Sequence, residues 1–176
     1  YSSEQMQAII KTFNKSYNKS THPLSEESLT AILIYMDTEY VYLQNTQDNM
    51  RFAVEAMAKE MRTGESFPVD CVSGCRTIMY QTARGKRVSY RLNQTSNVIE
   101  KASSGADCVP FPDSCYFPFT AAGVRIDRLW FYVTGVGEDN LQPKVTIVLE
   151  ATTPGIERTA SRLHLQTTVA QRRLDT

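Results

Sequence analysis

The chain has 176 residues, 41% of them hydrophobic, with 19 basic and 19 acidic side chains and a formal net charge of zero. That length and apolar share suit one domain with a real core and a small appendage. The charge balance excludes a global basic field of the kind that gathers nucleic acid or an acidic membrane surface.

Residues 1–24 form a polar N-terminal segment in which Asn-Lys-Ser occurs twice, at Asn14–Ser16 and Asn18–Ser20. Met6, Ile9, Ile10 and Phe13 have the spacing of a short amphipathic helix. The segment lacks the pattern of an intact signal peptide. No run in the chain reaches the ~18 consecutive apolar residues of a membrane span.

Residues 25–64 predict one long helix. Ser25 is a good N-cap, and Glu26 and Glu27 sit where the positive helix end favours charge. Leu29, Leu33, Met36, Tyr40, Leu43, Gln47, Met50, Val54, Met57 and Met61 recur at alternating four- and three-residue steps, which places them on one helical face. Only Gln47 interrupts the apolar stripe. Gly64 is a natural stop after Lys59 and Arg62. Such a helix runs ~57 Å, longer than a small domain is wide. Its second half, Met50 to Met61, is expected against the sheet. Its first half, Leu29 to Leu43, is expected to extend beyond the domain.

Residues 65–176 change texture to short alternating segments, an antiparallel head domain. Arg76 to Gln81 and Arg87 to Leu92 read as strands joined by a turn at Ala83-Arg84-Gly85-Lys86. Asn97 to Lys101 is a weaker strand. Residues 103–120 hold three prolines and read as a loop, with Phe111, Tyr116, Phe117 and Phe119 too apolar for a free tail. Val124 to Thr134 is a longer strand whose alternation shifts between Ile126 and Leu129, the mark of a bulge. Pro143 to Thr152 and Arg162 to Gln171 complete a meander through short connections. The predicted class is α+β, a long N-terminal helix packed on an antiparallel β-sheet, with a crosslinked loop between strands.

The four cysteines fall in two close pairs, Cys71/Cys75 and Cys108/Cys115. Four cysteines permit three connectivities. Local disulfides are the simplest arrangement and place the chain in an oxidising, extracytoplasmic compartment. A four-thiolate zinc site is the competing reading, although its usual spacing is two residues and here it is three and six.

Several stretches together resemble the type IV pilin and pseudopilin superfamily. Ala53-Val54-Glu55-Ala56-Met57-Ala58-Lys59-Glu60-Met61-Arg62-Thr63-Gly64 resembles the helix exit of such proteins. Ile126-Asp127-Arg128-Leu129-Trp130-Phe131-Tyr132-Val133-Thr134-Gly135 resembles their central strand, and Gln142-Pro143-Lys144-Val145-Thr146-Ile147 the strand after it. Leu165-Gln166-Thr167-Thr168-Val169-Ala170-Gln171-Arg172-Arg173 resembles their last strand. The likeness spans about residues 35–173. It departs at the start, where the family carries an apolar helical half with a glutamate near its beginning. The surroundings of Glu4 are polar, so that glutamate is not carried over.

The resemblance implies a structural subunit of an extracytoplasmic filament or of a secretion or DNA-uptake apparatus, at the cell surface and membrane-linked before assembly. The expected assembly face is Leu29, Leu33, Met36, Tyr40 and Leu43, packing knobs-into-holes against sister subunits. The alternative is an adhesin or DNA-binding tip using the same head. For DNA the candidate residues are Arg84, Lys86 and Arg87, with Arg91, Tyr80 and Tyr90 nearby, since cations interleaved with aromatics hold single strands. The same residues read equally as a charged hairpin edge that resists unwanted strand pairing. Gly137-Glu138-Asp139-Asn140 offers about three side chains toward calcium, which takes six to eight oxygens. His22 and His164 lack partners in sequence for acid–base work. No nucleophile-elbow, phosphate-loop or metal-helix motif is present. The chain is therefore expected to be no enzyme and to need no cofactor.

Overall fold

A computed structural model describes residues 11, 26–104, 108, 111–121, 124–136, 141–153 and 161–172. The chain divides into two compact units, Tyr1–Tyr42 and Leu43–Thr176, with the boundary inside a helix. That helix, α1, spans Glu26–Met61, 36 residues against the expected forty or so, and is about 54 Å long at ~1.5 Å per residue. Apart from Lys11, the polar segment 1–24, with Met6, Ile9, Ile10 and Phe13, lies outside the described residues.

The class is α+β, but the strands form two antiparallel sheets rather than one. The first contains β1 (Gly64–Glu65), β2 (Thr77–Thr82), β3 (Arg87–Asn93), β4 (Val98–Ser103) and β5 (Phe117–Pro118) in sequence order. The second contains β6 (Arg125–Thr134), β7 (Lys144–Thr152) and β8 (Arg162–Ala170), also in order. The sheets separate at β5, which has two residues and ends on Pro118. A proline has no N–H with which to continue a ladder. Backbone bonds still join the segments around the two sheets: Ile126 donates to the Asn97 carbonyl at 2.8 Å, Arg172 donates to the Arg62 carbonyl at 3.0 Å, and Cys75 exchanges a pair of bonds with Phe131.

Turn chemistry sets the hairpins. At the β2–β3 turn Gly85 takes φ +77°, and its N–H donates to the Thr82 carbonyl at 2.8 Å. At the β3–β4 turn the Asn93 side chain accepts from the N–H groups of Thr95 and Ser96, at 2.9 and 3.2 Å. An asparagine that caps the following residues in this way favours a turn over a continued strand. The alternation shift expected in β6 is a register irregularity between Ile126 and Arg128. It places Ile126 and then Leu129, Phe131 and Val133 on the buried side.

One hydrophobic cluster unites the second unit. β6 and β7 supply Leu129, Phe131, Val133, Val145, Ile147 and Leu149, and the first sheet supplies Ile78, Tyr80, Val88, Tyr90 and Ile99. The C-terminal turns of α1 add Met50, Ala53, Val54, Met57 and Met61. The methionines are unbranched, so they fill the irregular space that β-branched side chains leave.

Candidate interaction surfaces

The helix face expected to assemble is unevenly presented. Met36 and Tyr40 are 60% and 58% exposed, and Leu33 and Leu43 are half-buried. Leu29 is buried at 3% exposure, which corrects its assignment to an open face. Ile32, Ile34, Val41 and Tyr42 are exposed as well, outside the predicted stripe. At ~100° per residue, Ile34 and Val41 fall opposite Met36 and Leu43. The stretch between Ile32 and Tyr42 thus shows apolar side chains on both sides, whereas a surface helix carries them on one.

At its other end α1 carries a polar clamp that sequence reading missed. Glu60 Oε2 accepts hydrogen bonds from the hydroxyls of Tyr90 at 2.8 Å and Tyr80 at 3.2 Å, while its other oxygen pairs with the Lys101 ammonium. Tyr80, Tyr90 and Lys101 come from β2, β3 and β4, and Tyr90 stands directly opposite Lys101. Burial, and then the neighbouring Glu60 charge, push the Tyr80 hydroxyl far above its ordinary range. Burial, then coupling to Tyr80 and Glu60, does the same to Tyr90. Both phenols therefore stay protonated and keep donating. The alternation of Tyr80 and Tyr90 was legible in the sequence, but the carboxylate that they meet lies 20 and 30 residues away.

The cysteines form the two local bridges, Cys71–Cys75 and Cys108–Cys115, so none is left to make a thiolate zinc site. Crosslinks of this kind persist in an oxidising, extracytoplasmic environment. The first closes a 3-10 turn, Val69–Ser73, over β6. Gly74 has φ +95°, and a Cβ there would lie 2.7 Å from the Tyr132 ring and 2.8 Å from the Trp130 ring. The second ties the 103–120 loop, which Arg91 also holds. Its guanidinium bonds Glu100 at 2.9 Å, pairs with Asp113, and lies 3.7 Å over the Tyr116 ring. Ser89 adds a 2.8 Å bond to the Tyr116 hydroxyl.

Arg84, Lys86 and Arg87 are all exposed at the β2–β3 turn. Their expected aromatic neighbours are not: Tyr80 and Tyr90 are 2% and 0% exposed. The hairpin therefore presents charge without a stacking surface. Cations meet half-buried aromatic rings elsewhere, on the outer side of the second sheet. Arg76 and Arg128 approach the Trp130 ring centroid at 5.6 and 5.5 Å, and Tyr132 stacks beside it at 6.3 Å. The i, i+2 spacing of Arg128 and Trp130 was a readable signal. The approach of Arg76 follows from the Cys75–Phe131 bridge, which no local pattern announces. A groove of about 590 Å³ opens here, lined by Arg76, Arg128, Trp130, Gln94, Asn97 and Glu150 among others.

His164 stands on the outer face of β8, 3.7 Å from Glu150. His22 and Gly137–Asn140 lie outside the described residues. Among the described residues no group of His, Cys, Asp and Glu is placed to hold a metal ion, and no helix is long and apolar enough to cross a membrane. Compared with family models, curated proteins and solved structures, the chain matches none.

Proposed function

We propose that the chain is a pilin-like structural subunit of an extracytoplasmic filament or secretion apparatus, working by helix-mediated assembly and carrying out no chemical step. In this reading the Met50–Met61 face of α1 packs on the strands and the Ile32–Tyr42 stretch contacts sister subunits. The observation that carries it is the exposure of Ile32, Ile34, Met36, Tyr40, Val41 and Tyr42 on both sides of one helix. Apolar surface of that extent marks an interaction site, and a helix apolar all round calls for partners on more than one side. Support also comes from the order of helix, then antiparallel strands, and from two disulfides suited to a cell-surface or secreted location.

Analytical ultracentrifugation of the 176-residue chain over a wide concentration range tests this reading. Self-association is expected, and it should be weakened at least tenfold by Ile34→Lys with Met36→Lys, equivalent to ~1.4 kcal/mol or more. A wild-type chain that remains monomeric at millimolar concentration overturns the proposal.

A further inference from the structure

We propose that the groove beside Trp130 binds a carboxylate-bearing saccharide, of the kind found as uronic acid units in acidic glycans. The groove holds about 590 Å³, within the range of small-molecule sites, and lies wholly in the second compact unit. Its walls join three kinds of group that such a sugar requires.

Trp130 supplies an apolar wall for the C–H edges of a pyranose ring. Arg76 and Arg128 flank that wall, at 5.6 and 5.5 Å from its centroid. Among the described residues Arg76 has no carboxylate partner, whereas Arg128 shares Glu150 at 3.1 Å and Arg91 is fully engaged by Glu100 and Asp113. Arg76 is thus the guanidinium free to take an incoming carboxylate, and its planar fork matches that group. Gln94 and Asn97 bring neutral amides from the β3–β4 turn, which suit sugar hydroxyls, whereas the groove's carboxylates are held within the protein, Asp127 by Arg125 and Thr152 and Glu150 by Arg128. The two carboxylates also decide against a polyphosphate chain. They repel a continuous run of phosphates but tolerate a single carboxylate that sits against Arg76. The inference is independent of whether the chain assembles through α1.

Trp130 is the only tryptophan in the sequence, so its emission reports on this groove alone. The full chain is titrated with aldotriouronate, a trisaccharide that carries one uronic carboxylate, with neutral maltotriose and with oligothymidylate, and ligand-observed NMR provides a second readout. Saturable binding of aldotriouronate in the millimolar range is expected, at least tenfold tighter than maltotriose and weakened by salt. Arg76→Gln should reduce that binding at least tenfold. Arg76 is exposed, so the variant should keep the wild-type unfolding midpoint. Absence of binding, equal binding of maltotriose, unchanged affinity in Arg76→Gln, or tighter binding of oligothymidylate would each overturn the proposal.

Discussion

Glu60 shows how one side chain organises its surroundings. Its carboxylate serves two tyrosine hydroxyls on neighbouring strands and one ammonium on a third. Removing the acceptor leaves two buried donors unpaired, and each costs about 1–3 kcal/mol. Glu60→Ala is therefore expected to lower stability by about 2–4 kcal/mol, read from the urea midpoint, while Lys101→Ala costs less because its side chain is 26% exposed. The phenols also set a pH dependence. In the unfolded chain they titrate near 10.0, and in the folded protein their protons are held well beyond that. Above pH 10 the unfolded state binds fewer protons than the folded one, so stability falls as pH rises and is fully present below pH 10. Each group contributes a slope of about 1.4 kcal/mol per pH unit. Urea titrations of Tyr90→Phe between pH 9 and pH 11 should show roughly that much less slope than wild type above pH 10.

At the scale of elements, short-range chemistry decides how the strands are dressed. The 3-10 turn Val69–Ser73 is held by a disulfide of sequence separation 4 and by the Cys75–Phe131 bridge. Gly74 completes it, because its positive φ disfavours a side chain and the rings of Trp130 and Tyr132 occupy the space that a Cβ needs. Gly74→Ala is expected to cost about 2–3 kcal/mol and to shift Trp130 emission, since the turn must lift from β6. The helix was readable because its stripe holds the same period for thirty residues, and α1 ends within three residues of the expected stop. The strands were readable because β6 and β7 alternate buried and open residues, bulge included. The exposure of Ile34 and Val41 was not readable from that stripe, since a stripe names one face and is silent about what covers the other.

For the whole molecule, the residues from Met50 to Val169 share one hydrophobic cluster inside the Leu43–Thr176 unit. The lysine substitutions at Ile34 and Met36 lie outside that unit, so they should reduce association without moving the unfolding midpoint of the head. The long helix, the strands β2, β3, β4, β6, β7 and β8, the bulge in β6 and the closeness of each cysteine pair followed from the sequence alone, because each depends on neighbours a few residues apart, whereas the two-residue strands β1 and β5, the latter inside the expected 103–120 loop, did not. The division of the strands into two sheets, the meeting of Glu60 with Tyr80 and Tyr90, and the approach of Arg76 to Trp130 were decided only by tertiary structure. These depend on which distant segments pair and which side chains that pairing buries, and local periodicity carries no record of either.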